Sequence, residues 1–417
     1  MTRLPEQPGQ RIDRSRELTF SFDGKPVRAF EGDTVGSALF AAGRRTFSRS
    51  FKYHRPRGLL CCAGQCPNCL VQVDGAPGVR ACTEPVRAGM QVKHMNAVPS
   101  LDFDAMRATD LVGRPFTPPG FYYKTFIRPR RLWPVYEKVL RHAAGLGRAP
   151  DARPEREWVT EYRRRHADVL VVGGGVAGLS AAIAAAEQGA DVVLADEGHE
   201  PGGRLLAEGG HEEARSLAAR ARAAGVELLV NAPALGYFDG LVPVWQGDTL
   251  HQIRAARHIF ATGAIEQPLL FAGNDLPGVM LSGGALRLAA LYGVSPGRRA
   301  VVATVDDRGV EAARALADLG VEIVAVADLR TGASIVEAKG RGRVRSVVLG
   351  DGEIDCDLLV VSGGSAPATS LLRQAGGNRP AGDSLGGMSR GDILPTVLAA
   401  GEVAGHGELE AARRSGE

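Results

Sequence analysis

The chain lacks any uncharged apolar run long enough to span a bilayer. Its first residues, MTRLPEQPGQRIDRSREL, lack the apolar stretch of a secretory signal. The expectation is a soluble, cytoplasmic protein with no transmembrane segment. Charge of one sign is scarce too. Lys and Arg number 50 against 47 Asp and Glu, a formal net charge of +3. The molecule as a whole therefore has no grip on a polyanion, and no nucleic-acid motif is present. Cysteine is rare, six in 417 residues. Five of the six fall between Cys61 and Cys82, and the sixth is Cys356. A disulfide framework would be spread over a small secreted domain, so so tight a group points to metal.

Glycine, by contrast, is abundant at 54 residues, which suits loops where backbone must approach a ligand. The length exceeds what one core usually organises, so two or three domains are expected. Leu18, Phe20 and Phe22 alternate with polar residues, Asp23-Gly24 has type I′ turn chemistry, and Val27 to Phe30 return. Asp33 is expected to cap a short helix running to Ala42, with Gly43 ending it. A Gly/Cys loop, a strand at Leu70 to Val73 and a turn at Asp74-Gly75 follow. This order predicts a β-grasp ferredoxin-like domain over residues 1–101. Residues 102–165, rich in Pro, Arg and aromatics, read as a connector holding one amphipathic helix within FYYKTFIRPRRLWPVYEKVLRHAAGLG. Either it packs over the domains as a linker or it docks another subunit.

The cysteine spacing is Cys61-x4-Cys66-x2-Cys69-x12-Cys82. Its first three members fit the plant-type [2Fe–2S] pattern, with a distant fourth ligand arriving from a following strand. Gly58, Ala63 and Gly64 are small enough for backbone N–H groups to reach the sulfides. Zinc or inert thiols is the competing reading, but zinc sites pair C-x2-C knuckles and only Cys66/Cys69 has that spacing. Cys62 offers a second register, Cys62-x3-Cys66. Cys356, within IDCDLLVV, reads as a core thiol.

From Ala167 the pattern turns β-α-β. Gly173-x-Gly175-x-x-Gly178 follows an apolar strand and opens an Ala-rich helix, with Val176 and Ala177 inside the loop. Glycines permit the tight turn, the close approach of a pyrophosphate and close helix–strand packing, and the phosphates would meet the helix N-terminus. About twenty residues on, Asp196 or its neighbour Glu197 is placed to hold ribose hydroxyls. An ADP-containing cofactor is therefore expected. Gly202-Gly203-Arg204 resembles the second phosphate-facing loop of two-domain flavoproteins. Ala261-Thr262-Gly263-Ala264 resembles their crossover beside the flavin, and Gly401-Glu402 their Gly-Asp/Glu pair near the ribityl and phosphate groups. These favour FAD, with NAD the alternative at the same site. A second β-α-β unit, Arg299 to Asp328, carries Thr304, Asp306 and Asp307 where a phosphate loop needs glycine. Two carboxylates repel pyrophosphate, so it reads as a Rossmann scaffold without nucleotide. The fold expected is α/β plus α+β: the β-grasp domain, then an FAD/NAD(P)-binding domain of two Rossmann units over 166–417, with the degenerate unit inserted at about 298–330.

Longer blocks carry a family resemblance: RIDRSRELTFSFDGKPVRAFEGDTVGSALF, SFKYHRPRG, GFYYKTF, LGYFDG, ATGAIEQPLLFAGNDLPGVML and YGVSPGRRAVVAT. They resemble the alpha subunits of heterotetrameric sarcosine oxidases. They equally resemble the related alpha subunits of opine, proline and hydroxyproline dehydrogenases and of hydrogen cyanide synthase. Sarcosine oxidase alpha subunits generally lack the cluster cysteines and continue into a folate-binding domain. This sequence has all four cysteines and stops at Glu417, early in what should be the last flavin-domain helix, so a shortened chain is one expectation.

The resemblance implies an electron-transferring subunit. A separate beta-type FAD subunit oxidises a small amine or imino acid (sarcosine, proline, hydroxyproline, glycine or an opine), and an external acceptor takes the electrons. No residue of this chain stands out as a general base or nucleophile. His54 reads as a packed or phosphate-facing loop residue, and Arg49, Lys52, Arg55 and Arg57 as a solvated basic loop or one that faces an anion or the cluster. Two other functions compete: a self-sufficient NAD(P)H-dependent flavin/iron–sulfur reductase, and a non-catalytic nucleotide-binding scaffold.

Overall fold

The computed structural model describes residues 3–108, 110, 128–143, 161–350, 352–376 and 394–417. The GFYYKTF block and most of the 102–165 connector lie outside the described residues.

The chain opens with β1 (Asp13–Phe22) and β2 (Lys25–Glu31), joined through Asp23-Gly24 at φ 51° and 75°. Both positive φ values are what a type I′ turn demands. α1 (Val35–Ala41) follows, then the two-residue strands β3 (Ser48–Arg49) and β4 (Pro56–Arg57). β5 (Leu70–Val73), β6 (Ala76–Arg80) and β7 (Gln91–Lys93) complete a sheet of order β2-β1-β7-β5-β6. Phe20, Phe22, Phe40 and Phe47, all fully buried, fill the space between sheet and helix. The β-grasp expectation holds.

One local correction concerns the cap of α1. Thr34, not Asp33, is the N-cap; its side chain accepts from Ser37 N–H while the Ser37 hydroxyl receives the Thr34 N–H. Asp33 is a buried tie instead. It accepts from Phe30 N–H (2.9 Å) and the Ser37 hydroxyl (2.6 Å), and pairs with Arg3 at 2.5 Å.

In the connector the amphipathic helix is present as α2 (Trp133–Ala143). β8 (Glu161–Val172), α3 (Val176–Glu187) and β9 (Val192–Ala195) form the first β-α-β unit. α4 (His211–Ala223), β10 (Glu227–Leu229), β11 (Leu241–Gln246), β12 (Thr249–Phe260) and β13 (Ala264–Glu266) extend it. The second unit runs β14 (Val279–Leu281), α5 (Ser282–Tyr292), β15 (Arg299–Thr304), α6 (Asp307–Asp318) and β16 (Glu322–Asp328). Three antiparallel strands, β17 (Ile335–Lys339), β18 (Ser346–Leu349) and β19 (Gly352–Asp355), then lead to β20 (Leu358–Ser362). β21 (Ser365–Pro367), α7 (Ser370–Gln374), β22 (Val397–Ala399) and α8 (Leu409–Gly416) close the described chain.

Two compact units emerge. One combines Met1–Arg153 with Pro268–Gly364, the other Pro154–Gln267 with Ser365–Glu417. The first holds the β-grasp sheet and a parallel sheet of order β14-β20-β15-β16. The second holds β10-β9-β8-β12-β11, with β22 alongside β12. Among the described residues no helix is long and apolar enough to cross a membrane.

Two predictions follow from the β-grasp ties. Asp33→Ala leaves the Arg3 guanidinium and two donors without their buried acceptor, so it should lower unfolding free energy by about 3 kcal/mol in chemical denaturation. The second concerns His94, whose Nδ1 and N–H both meet Asp23 Oδ1 at the hairpin turn, at 2.9 and 3.0 Å. The Asp23 hydrogen bond, against the opposing effect of burial, raises the His94 pKa above 6.5. For Asp23, burial is outweighed by the side-chain and backbone bonds from His94, and its pKa falls. The histidine's contribution is thus full below about pH 6.5 and is lost as pH rises through its higher folded value. The carboxylate's contribution is lost only as pH falls below the ordinary aspartate range. Melting temperature should therefore drop between pH 6 and pH 9, and His94→Gln should flatten that slope.

Candidate functional site

The cysteine loop leaves β4 at Gly58. A Cβ at Gly58 would stand 2.1 Å from the Arg45 carbonyl oxygen, so glycine is needed there for passage beside Arg45 rather than for access to sulfur. Cys61, Cys69 and Cys82 are buried at 2, 1 and 4% exposure, and Cys66 is half-buried. The Cys61 and Cys66 sulfurs lie 3.3 Å apart, and Ala63 N–H points at Cys61 Sγ at 3.5 Å. Cys82 is within hydrogen-bond reach of both Cys61 and Cys69. It stands in the turn just past β6, not on a strand as expected.

Among the described residues no three ligand-type side chains gather around a single point. The sulfurs run Cys66–Cys61–Cys82–Cys69, a string of near neighbours that suits two irons with two thiolates each. Neighbouring S–H and N–H donors depress the Cys61 thiol, while Cys66 and Cys82, burdened by those same contacts and by burial, are pushed up. Such a set releases its protons as a unit when metal replaces them. Cys62 adopts φ 49° inside the loop. Cys356, in the connection between β19 and β20, lies in the core of the parallel sheet, and burial pushes its thiol up to about 11.

The basic loop before the cysteines is neutralised from within. Arg49 is buried, 3.3 Å from Asp104, and donates to the His54 and Leu101 carbonyls. His54, 1% exposed, meets Asp104 through Nδ1 at 2.9 Å. Arg55 pairs with Asp110 and Asp275, and Arg57 with Asp275, while Lys52 lies over the Tyr53 ring. His54 is therefore the packed residue of the two expected readings, and Arg49, Arg55 and Arg57 are committed to carboxylates.

The other compact unit, Pro154–Gln267 with Ser365–Glu417, carries the glycine loop. Gly173, at φ 108°, turns beside Ala261, and a Cβ there would sit 2.3 Å from its carbonyl oxygen. A Cβ at Gly178 would sit 1.8 Å from the Gly173 oxygen, which keeps α3 close against its strand. At Gly175 the space is open. Gly175 is also the N-cap of α3, with no side chain satisfying the first-turn N–H groups. Helix N–H groups and dipole thus face a free space beside a residue with no side chain, a cradle that fits a pyrophosphate. Val176 and Ala177 form the buried first turn. Gly202 N–H donates to Gly174 O at 2.7 Å, and Gly203, at φ 57°, stands beside Gly175. Arg204 reaches the Gly407 carbonyl at 3.0 Å.

Ala261, Thr262 and Gly263 continue from β12; the Thr262 hydroxyl donates to Ala368 O at 2.8 Å. Gly401 at φ 76° abuts Ala177, where a Cβ would come within 2.7 Å of the alanine methyl, and Glu402 accepts from the Ser365 hydroxyl at 2.9 Å. Asp196 lies just past β9, and its carboxylate turns inward. It accepts from Gly174 N–H and, at 2.6 Å, from Gly198 N–H. Burial outweighs those two bonds and raises its pKa. Glu197, beside it, is exposed. Asp196, the first of the two ribose candidates, is thus the one that meets the glycine loop.

The degenerate unit makes the opposite choice. Asp306 caps α6, accepting from Gly309 N–H (3.2 Å) and the hydroxyls of Ser362 (2.7 Å) and Thr304 (3.1 Å). The protein's own carboxylate occupies the anion position.

A domain model described as a 2Fe-2S iron-sulfur cluster binding domain matches residues 15–97, and one described as FAD dependent oxidoreductase matches 168–227. Sarcosine oxidase subunit alpha of Rhizobium meliloti (strain 1021) is 39% identical over 411 residues, covering 88% of this chain and 40% of that protein. Hydrogen cyanide synthase subunit HcnA of Pseudomonas aeruginosa is 40% identical over 87 residues, covering 21% of this chain and 79% of that protein. The chain belongs to the family of sarcosine oxidase alpha subunits and hydrogen cyanide synthase subunits. It is an oxidoreductase-family protein with a 2Fe–2S domain and an FAD-type domain. It spans about two-fifths of the length of the sarcosine oxidase relative. In fold it is similar to L-proline dehydrogenase from P. horikoshii, with a TM-score of 0.73 at 23% identity over all of this chain and 74% of that one.

Gly175→Ala should keep the fold yet lose most bound nucleotide, because its Cβ enters the open cradle. Gly178→Ala should lose both. Nucleotide release on denaturation, read against circular dichroism, separates these outcomes. Cys61, Cys66, Cys69 or Cys82→Ser should each abolish bound iron, whereas Cys62→Ser should retain it.

Proposed function

We propose that this chain is the electron-transferring alpha subunit of an FAD-dependent amine or imino-acid dehydrogenase or oxidase complex. A beta-type flavoprotein partner would oxidise the substrate, a small secondary amine or imino acid, and an external acceptor would receive the electrons, in the cytoplasm. The observation that carries this reading is the coexistence of two cofactor cradles with a closed third site. Cys61, Cys66, Cys69 and Cys82 are a donor set for a [2Fe–2S] centre. Gly173, Gly175, Val176, Ala177 and Gly178 offer a phosphate cradle, and Gly203, Arg204, Ala261, Thr262, Gly263, Gly401 and Glu402 are the accompanying set for the rest of FAD. Asp196, beside the glycine loop, is assigned the ribose, with Glu197 its neighbouring candidate. The proposed division by sequence is a β-grasp part over 1–101, a connector over 102–165 and a flavin-type part over 166–417, whose degenerate insertion falls within the Pro268–Gly364 segment of the first compact unit.

When bound, a flavin exchanges two electrons and a 2Fe–2S centre one, so the pair can convert a two-electron supply into single transfers. The chain's own contribution is to hold and shield. Burial of Cys61, Cys69 and Cys82 excludes water from the thiolates, and the open face at Gly175 admits the pyrophosphate. Among the described residues neither set includes a candidate general base, and in this reading C–H oxidation belongs to the partner.

A self-sufficient NAD(P)H reductase is disfavoured by Asp306, which sits where a second dinucleotide's phosphates would bind. The test is anaerobic purification, with visible and EPR spectra, nucleotide extraction and a dye assay with NADH. The expected result is a 2Fe–2S signal, extractable FAD and no NADH-driven dye reduction, with amine-driven reduction appearing only on co-expression with a beta-type subunit. Rapid NADH oxidation by the isolated chain would overturn the relay, and iron-free protein would favour the scaffold reading.

A further inference from the structure

Within the first compact unit, the N-cap of α5 and one face of that helix are fitted to the cysteine loop at three points, each three residues apart. Leu281 N–H donates to the Leu60 carbonyl at 3.0 Å. At Gly284 a Cβ would stand 2.2 Å from that same Leu60 oxygen and 3.1 Å from the Cys61 carbonyl carbon. One turn on, Arg287 Nη1 donates to the Cys61 carbonyl at 3.1 Å. Spacing of three along a helix keeps such residues on one side. The loop is therefore clamped at the first cysteine of the set and the residue before it. The clamp belongs to a Rossmann-type unit whose nucleotide position Asp306 closes, so this unit has a use that needs no nucleotide.

We propose that Arg287 is a positioning residue for the [2Fe–2S] centre and sets its reduction potential. The inference rests on the four-cysteine assignment above. A guanidinium is positively charged at every accessible pH, and Arg287 is half-buried, where screening by solvent is weaker than in bulk water. It is bound to the main chain of Cys61 itself. Reduction adds one negative charge to the centre, so a fixed cation anchored there favours the reduced form and raises the potential. Gly284 supplies the close approach that lets the arginine reach.

The test is an EPR-monitored potentiometric titration of the full-length, anaerobically purified protein and of its Arg287→Lys, Arg287→Gln and Gly284→Ala variants. Arg287→Gln should make reduction about tenfold less favourable, which for one electron is about 59 mV more negative. Arg287→Lys should recover most of that loss, a rescue that a purely structural role would not produce. Gly284→Ala should perturb the EPR line shape, because the added methyl must push the loop away. Extractable flavin should not change in any variant. A cluster of unchanged potential and line shape in Arg287→Gln would overturn the inference and leave the cysteine assignment standing. A wild-type protein without a cluster would overturn the cysteine assignment, and this inference with it. Should Arg287→Gln fail to accumulate, an unaltered potential and line shape in Gly284→Ala would overturn the clamp.

Discussion

Four sulfur atoms strung within hydrogen-bond reach of one another, three of them on buried side chains, are a costly arrangement for a chain of thiols. Burial disfavours the thiolate form, and each thiolate that does form disfavours the next. A pair of iron ions held by the four would remove both penalties at once by taking the protons' place. The rest of the N-terminal unit is arranged so that this gathering can occur. The loop departs past Arg45 at a glycine, the preceding hairpin is tied down by the Arg49–His54–Asp104 group, and the far side is closed by α5. The buried ion pairs of the hairpin are weak evidence of stability in themselves; their effect is to leave the basic loop one conformation beside the cysteines.

The two Rossmann units form a natural controlled comparison. Both have a parallel strand, a short turn and an amphipathic or apolar helix. In one, the turn at Gly175 leaves the first helical N–H groups without a side-chain partner. In the other, Asp306 supplies an acceptor from the chain itself, supported by Thr304 and Ser362. A helix N-terminus needs an acceptor, and its source decides whether the unit is a ligand site or a scaffold. The neighbouring helix α5 of the same unit serves another demand. Its Gly284 accordingly admits a peptide carbonyl from the cysteine loop.

Much of this was legible in the sequence, and the reasons are physical. The hairpin turn, the cysteine spacing and both β-α-β units rest on local chemistry: positive φ at Asp23-Gly24, ligand spacing, and apolar runs between glycines. What escaped depends on partners distant in the chain. Asp33 has the composition of an N-cap, but Arg3 and Phe30 claim its carboxylate, so Thr34 takes the cap. Gly58 was read for sulfur access, while its constraint comes from the Arg45 carbonyl. Arg49, Arg55 and Arg57 read as a free basic loop because Asp104, Asp110 and Asp275 lie about fifty to two hundred residues downstream. Asp196 and Glu197 are neighbours by spacing, and the hydrogen bond from Gly174 N–H to Asp196 is what the pattern does not show.

Arg287 gave no sign of its partner: it is the one charged residue of a largely apolar, mostly buried helix. Its partner is a carbonyl group, which every residue has and no pattern marks. The one local trace was Gly283-Gly284 near the start of α5, where helix propensity argues against glycine by up to about 1 kcal/mol each. A cost of that kind inside a helix indicates that something approaches closely, and at Gly284 the approaching group is the backbone that leads into Cys61. The electrostatic environment of the cluster is thus written partly in a helix more than two hundred residues away from its cysteines, in a unit that the glycine pattern alone would have dismissed as vestigial.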